Sequence, residues 1–227
     1  MSGAADIWAV VPVKDTGDAK QRLTHALTAR QRQELALAMV EDVLDTLAAT
    51  PGLAGLAVVT VDPSVQELAA KRRISVFADD ARSGHTAAVA GAARRLAAEG
   101  HGGMLAMPGD VPLVSAAEVV RLLQAHGSAP AFTICPAHDG RGSNAVICSP
   151  PDAVPLEFGN DSFLPHLATA RARGIEPAVL HLPGVGLDID NPADIETFMR
   201  VPSHTRARQV LERAGFGAAM SAVERSI

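Results

Sequence analysis

The stretch Met104-Leu105-Ala106-Met107-Pro108-Gly109-Asp110-Val111-Pro112-Leu113 (MLAMPGDVPL) decides the fold. Its unbroken apolar start reads as a strand buried on both faces, and Pro108-Gly109 stops that strand and pushes an aspartate out at its carboxyl end. A strand apolar on both faces belongs inside a sheet covered from both sides, the setting of parallel α/β architecture.

The pattern repeats on the N-terminal side. Ile7 to Val13 (IWAVVPV) reads as a first buried strand, running into Lys14-Asp15-Thr16-Gly17. Thr28-Ala29-Arg30-Gln31 fits a capping box, and Leu35, Met39, Val43 and Leu47 follow at helical spacing up to Pro51-Gly52. Leu56 to Val61 predicts a second strand, Asp62-Pro63 a helix start, Ile74 to Phe77 a third strand, and Thr86 to Glu99 an Ala-rich helix before the strand Met104 to Met107. On the C-terminal side, Ser115-Ala116-Ala117-Glu118 caps a helix through Ala125. Ala131 to Cys135 and Asn144 to Cys148 read as strands joined by the turn-rich His138 to Ser143. A helix from Ser162 to Arg173, a strand from Pro177 to His181, and an extended Gly186 to Asp190 follow. Asn191-Pro192 then caps a last core helix. The expectation is an α/β, three-layer, mostly parallel sheet with helices on both faces, forming one domain over 1–227, with its core at about 7–200 and a helical extension at 201–227.

Composition narrows the class. Of 227 residues, 48% are apolar and 20% charged, an ordinary globular balance, and with no Tyr and one Trp the core must rest on Ala, Val and Leu. A net charge of −5 without a basic block argues against nucleic acid as the partner and suits a small anion held by a few local cations. No apolar run approaches the roughly 20 residues that span a bilayer. No charged segment leads into an apolar run at Met1 to Asp6, so a cytoplasmic protein is expected, away from membranes. Cys135 and Cys148 sit in apolar runs and read as buried thiols. The oligomeric state stays open, and a homodimer is compatible with the sequence.

Ligands of open α/β sheets bind outside the carboxyl ends of the strands, and three clusters fall there. Lys14, Lys20 and Arg22 follow the first strand; they could wrap a triphosphate or form a solvated basic loop. That loop has neither G-x-x-x-x-G-K nor G-x-G-x-x-G, which excludes a P-loop. Asp110 is either a site carboxylate or a turn former. Asp188 and Asp190 stand two apart in an extended segment, read as a later strand that a parallel sheet could bring to the end of the Asp110 strand, and so project to the same side; like charges that close call for a cation, unless Asp190 serves only the Asn191 cap.

The chain resembles the 2-phospholactate (or phosphoenolpyruvate) guanylyltransferases of coenzyme F-420 biosynthesis over Val10 to about Phe198. The resemblance is carried by VVPVK at Val10 to Lys14 with Ala19-Lys20-x-Arg22-Leu23, by GDVPL at Gly109 to Leu113 and by DGRGSNAV at Asp139 to Val146. FGNDSFLPH at Phe158 to His166 and LDIDNPAD at Leu187 to Asp194 complete it. It implies a glycosyltransferase-A-like nucleotidyltransferase fold and transfer of GMP from GTP to a small phosphorylated acid (2-phospholactate, phosphoenolpyruvate or 3-phosphoglycerate). It also implies magnesium on Asp110, Asp188 and Asp190, and an acceptor carboxylate at Ser143, Gly159 and Ser162. Lys14, Lys20, Arg22 and Asp110 become the candidate catalytic groups, and Lys14, Lys20 and Arg22 with Gly84, His85 and Thr86 the candidate nucleotide contacts. Ser143 stands where Thr is common in that family, and Gly84-His85-Thr86 where Gly-Leu-Asn is frequent. The residues themselves agree: Ser143 and Ser162 offer hydroxyl donors, Gly142 and Gly159 allow close backbone approach, and a helix opening at Ser162 favours an anion. His166, one turn on, is a cap or packing residue or an anion contact; Phe158 and Phe163 read as core. A transferase with a molybdopterin or sugar-phosphate acceptor lacks support in the first loop, and a non-catalytic nucleotide-binding protein would not need the aspartate set.

Overall fold

The computed structural model describes residues 6–17, 19–78 and 81–216. Its strands are β1 (Ile7–Pro12), β2 (Gly55–Val59), β3 (Ser75–Phe77), β4 (Gly103–Ala106), β5 (Ala131–Pro136), β6 (Ser143–Ser149) and β7 (Ala178–Val179). Its helices are α1 (Ala29–Ala48), α2 (Pro63–Arg72), α3 (His85–Ala98), α4 (Ala116–Ala125), α5 (Phe163–Ala172), α6 (Pro183–Gly186), α7 (Pro192–Arg200) and α8 (Arg206–Arg213). The strands form one sheet in the order β3-β2-β1-β4-β6-β5-β7. β1 to β4 are mutually parallel where they pair, β6 runs against both β4 and β5, and β7 runs with β5.

The period of two along each strand sorts side chains onto two faces. On β1, Ile7, Ala9 and Val11 join one core with Val40, Val43, Leu44 and Leu47 of α1, Val65 of α2 and Leu122 of α4. Val10 joins the opposite core with Val89 and Leu96 of α3 and Leu167 and Ala170 of α5. β4 divides the same way, Leu105 to the first core and Met104 and Ala106 to the second. The result is the three-layer arrangement anticipated from the apolar runs. At Gly55 the indole of Trp8, its partner in register, lies where a Cβ would sit, so the side chain's absence lets Trp8 cross β2.

The helix starts follow the sequence signals. Thr28 and Gln31 form a complete capping box on α1, Ser115 and Glu118 one on α4, and Asn191 and Asp194 one on α7. A third core beyond α1 holds Leu23, Leu35, Met39, Ile189, Phe198 and Leu211. It seats α8, whose first amides, Arg206 and Ala207, donate to the buried Asp42 carboxylate at 3.0 and 2.9 Å. α8 lies within the expected C-terminal extension, while residues 217–227 are outside the described residues.

Three sequence expectations need correction. The strand expected over Pro177 to His181 is reduced to the two residues of β7, because only Ala178 and Val179 pair with β5 at the sheet edge. Gly186 closes the short helix α6, which the sequence reading did not anticipate. The segment holding Asp188 and Asp190 is extended but is not a strand of the sheet; the amide of Ile189 donates to the carbonyl of Asp110 at 3.1 Å.

Leu105 is fully buried in the middle of the sheet, and Leu105→Ala should destabilise the protein by about 2–5 kcal/mol in urea unfolding. Leu164, 69% exposed on α5, should tolerate the same change within about 0.5 kcal/mol.

Candidate active site

The first loop is pinned from one side. The amide and hydroxyl of Thr16 donate to Oδ2 of Asp62 at 2.7 and 2.6 Å, while Oδ1 of the same carboxylate caps α2 through the amides of Ser64 and Val65. Burial alone would raise the Asp62 pKa, but the Thr16 and helix donors outweigh it and hold the carboxyl below its usual range. On the far side of the loop, a 3-10 turn at Gln21–Leu23 plants Leu23 in the third core. Between these anchors Lys20 adopts a left-handed backbone (φ 55°), uncommon for a residue with a Cβ. Such conformations cluster where function holds them.

That turn delivers the Lys20 ammonium to two aspartates. Nζ lies 2.6 Å from Asp110 Oδ2 and 2.8 Å from Asp190 Oδ1, and Arg22 stands 3.6 Å from the other oxygen of Asp190. Burial opposes the charge on Lys20, yet the two carboxylates overcome it and hold the ammonium protonated well beyond the ordinary lysine range. Asp190 is held below its normal pKa, since Lys20 and Arg22 outweigh the effect of its burial. Its backbone is fixed as well: the amides of Asp190 and Asn191 both donate to Asp194 Oδ2 at 2.8 Å.

Asp188 behaves differently. With Ile189 buried between them, Asp190 meets Lys20 while Asp188 Oδ1 accepts from Asn144 Nδ2 at 3.0 Å. Burial, then the charges of Asp110 and Asp190, raise the Asp188 pKa against that hydrogen bond. The three aspartates are therefore near enough to feel one another, but their side chains do not close into a cage. Among the described residues no three His, Cys, Asp or Glu side chains are grouped so as to hold a metal ion.

A cavity of about 580 Å³ opens here, lined by Lys14, Lys20, Arg22, His85, Asp110 and Asp190. Lys14 is exposed and makes no ion pair among the described residues. His85 opens α3 after Gly84, and burial, with Lys14 nearby, lowers its pKa despite the attraction of Asp110. Thr86 faces elsewhere: its hydroxyl accepts from the Phe158 amide at 3.0 Å, bracing α3 against the segment before α5.

The candidate acceptor residues form a second group. β6 runs against β4, so its first residue, Ser143, lies toward the end of β4 from which Asp110 emerges. Ser162 precedes α5 without capping it through its side chain; its hydroxyl donates to Ser143 Oγ at 3.1 Å. His166 is buried and lies 2.9 Å from the same oxygen. Gly159 is exposed, with open space where a Cβ would be. Phe158 is partly buried against the second core and stacks edge-on to both His85 and His166, with centroids 4.7 and 5.2 Å away, so one ring joins the two groups. Arg141 pairs with Asp161 through two bonds of 2.6 and 3.1 Å at the surface.

Sequence reasoning missed three contributors. Asp62 and Asp194 were visible as carboxylates beside helix starts, and Asn144 lay within the quoted GSN triplet. Ser143 and His166 were both singled out, but their contact had no sequence signal, because they stand 23 residues apart.

The sequence matches the family model described as "Guanylyl transferase CofC like" over residues 7–226. The chain belongs to this family. Guanylyltransferases similar to it include the phosphoenolpyruvate guanylyltransferase of Rubrobacter xylanophilus, 38% identical over 83% of this chain and 91% of that one. The 3-phospho-D-glycerate guanylyltransferase of Colwellia psychrerythraea is 36% identical over 82% and 88%. The 2-phospho-L-lactate guanylyltransferase of Methanothermobacter thermautotrophicus is 30% identical over 92% and 91%. Among solved structures, a nucleotide-diphospho-sugar transferase assignment from Desulfovibrio desulfuricans G20 superposes with a TM-score of 0.74 at 19% identity, covering 92% of this chain and 95% of that one, which shows the shared fold.

Burial pushes the His166 pKa from 6.5 down to about 4, so the folded chain keeps this ring neutral while the unfolded chain protonates it between those values. The unfolded state then binds more protons, and the contribution is complete above the unfolded pKa and lost as pH falls toward 4. A shift of that size corresponds to roughly 3 kcal/mol. Urea unfolding at pH 4.5 and 7.5 should show a larger acid loss for the wild type than for His166→Asn.

Proposed function

We propose that this guanylyltransferase-family chain transfers GMP from GTP to the phosphate of a small phosphorylated carboxylic acid, releasing pyrophosphate, as a step toward coenzyme F-420. The observation that carries the reading is the single cavity in which Lys14, Lys20 and Arg22 meet Asp110 and Asp190. Cations alone would suit any anion, and carboxylates alone any metal. Their combination at the carboxyl edge of the sheet suits a nucleoside triphosphate delivered with a divalent cation. The three relatives' names support guanine as the base and phosphoenolpyruvate, 3-phosphoglycerate or 2-phospholactate as the acceptor.

Magnesium fits the donor set, since Asp110 and Asp190 already share one cation, the Lys20 ammonium. These two would hold the metal, with Asp188 nearby and phosphate oxygens completing the shell; bound there it would neutralise phosphate charge. The chain's own groups do the rest. Lys14 and Arg22 bind the triphosphate, and Lys20, released from one carboxylate, becomes a further phosphate contact. Ser143 and Ser162 orient the acid. An oxygen of its ionised phosphate attacks the α-phosphorus, the new P–O bond forms as the α–β bridging bond breaks, and pyrophosphate leaves with the electron pair. An ionised phosphate needs no general base, so the protein's work is positioning and charge neutralisation.

Pyrophosphate release measured with GTP and each of the three acids should show turnover with at least one and a marked preference over ATP; turnover that ignores the base, or none with any acid, would overturn the reading. Asp190→Asn and Asp110→Asn should fold normally, lower kcat by at least about 100-fold and shift magnesium dependence to higher concentration. Ser143→Ala should raise the acceptor KM about 10- to 150-fold, the value of a hydrogen bond to a charged group, with the GTP KM unmoved.

A further inference from the structure

His166 is buried beneath the serine pair and belongs to no part of the reaction described above. Its Nε2 lies 3.0 Å from the backbone amide of Glu157. An amide N–H can only donate, so Nε2 is the acceptor and the proton of the neutral ring sits on Nδ1. Nδ1 faces Ser143 Oγ at 2.9 Å and donates to it. The Ser162 hydroxyl donates to the same oxygen at 3.1 Å. A hydroxyl oxygen has two lone pairs, and both are now taken. Ser143 is left with one remaining capacity, its own O–H, for which no acceptor is present among the described residues.

We propose that His166 is a positioning residue for the transfer reaction: through Nδ1–H it locks the Ser143 hydroxyl as a donor, so that the seat beside Ser162 takes a hydrogen-bond acceptor without a proton of its own, the carboxylate of the phosphorylated acid. The inference rests on the proposed function for the identity of that ligand, but not for the direction of the hydrogen bonds. Without His166 the Ser143 hydroxyl could turn inward and its orientation would be lost. The ring itself has little freedom, since Phe158 stacks against it and the Glu157 amide fixes its far edge.

Two substitutions separate positioning from simple packing. The amide nitrogen of Asn occupies nearly the place of imidazole Nδ1, whereas that of Gln occupies nearly the place of Nε2. His166→Gln should raise the acceptor KM about 3- to 10-fold, the worth of one neutral hydrogen bond, with kcat and the GTP KM within about twofold. His166→Asn should restore an acceptor KM close to that of the wild type. Long-range ¹H–¹⁵N spectra of the full-length wild type should show His166 as the Nδ1–H tautomer, and adding the acid found to turn over should shift that signal. An Nε2–H ring, an unmoved acceptor KM in His166→Gln, or an Asn variant no better than Gln would overturn the positioning role while leaving the activity standing. A wild type that turns over none of the acids would instead overturn the proposed function, and with it the ligand assigned to this seat.

Discussion

Three segments distant in sequence are drawn together by one ammonium. Lys20 reaches across 90 residues to Asp110 and 170 to Asp190, and the two carboxylate oxygens it contacts, 2.6 and 2.8 Å from its nitrogen, stand no more than about 5.4 Å apart. At an effective dielectric near 20, two unit charges at that separation repel by about 3 kcal/mol. A cation between them is therefore a condition of this geometry, and the left-handed turn at Lys20, held by Thr16–Asp62 on one side and Leu23 on the other, supplies it. On the proposed function, the ammonium would give way to a divalent cation arriving with a nucleotide, and the same flexible stem would then serve the phosphates.

The sheet's change of direction gives that charged centre a neighbour. Had β6 been parallel to β4, Ser143 would have emerged at the opposite edge from Asp110. Its antiparallel course places the serine, and Asn144 beside it, toward the end where the aspartates gather, and Asn144 holds Asp188 directly. Phe158 and Thr86 tie the same region to the start of α3, so the aspartate and serine groups share supports.

Much of this was legible in particular residues. Caps at Thr28, Ser115 and Asn191 fall where the sequence signals put them, because a capping box depends only on residues three apart. The strand ends before Lys14 and Asp110 were readable because apolar runs and turn residues act locally. The expected strand across Asp188 and Asp190 failed because extended spacing predicts which way side chains project, and says nothing about whether a neighbouring strand is available to pair. Their shared direction did not give them a shared partner either: Asn144 took one and Lys20 the other. The bond from the Phe158 amide to the Thr86 hydroxyl spans 72 residues and had no local signal.

The sequence by itself determined the alternation of apolar strands and capped helices, the position of charged residues at strand ends, and the family to which the motifs belong. Each of these rests on interactions within a few residues or on the order of motifs along the chain. Tertiary structure alone decided that Lys20 would bridge Asp110 and Asp190, that Asp188 would turn to Asn144, and that His166 would face Ser143 with its Nδ1. Those choices depend on strand direction, on which side chain reaches a given oxygen first, and on which ring nitrogen a backbone amide has already claimed, none of which is a property of local sequence.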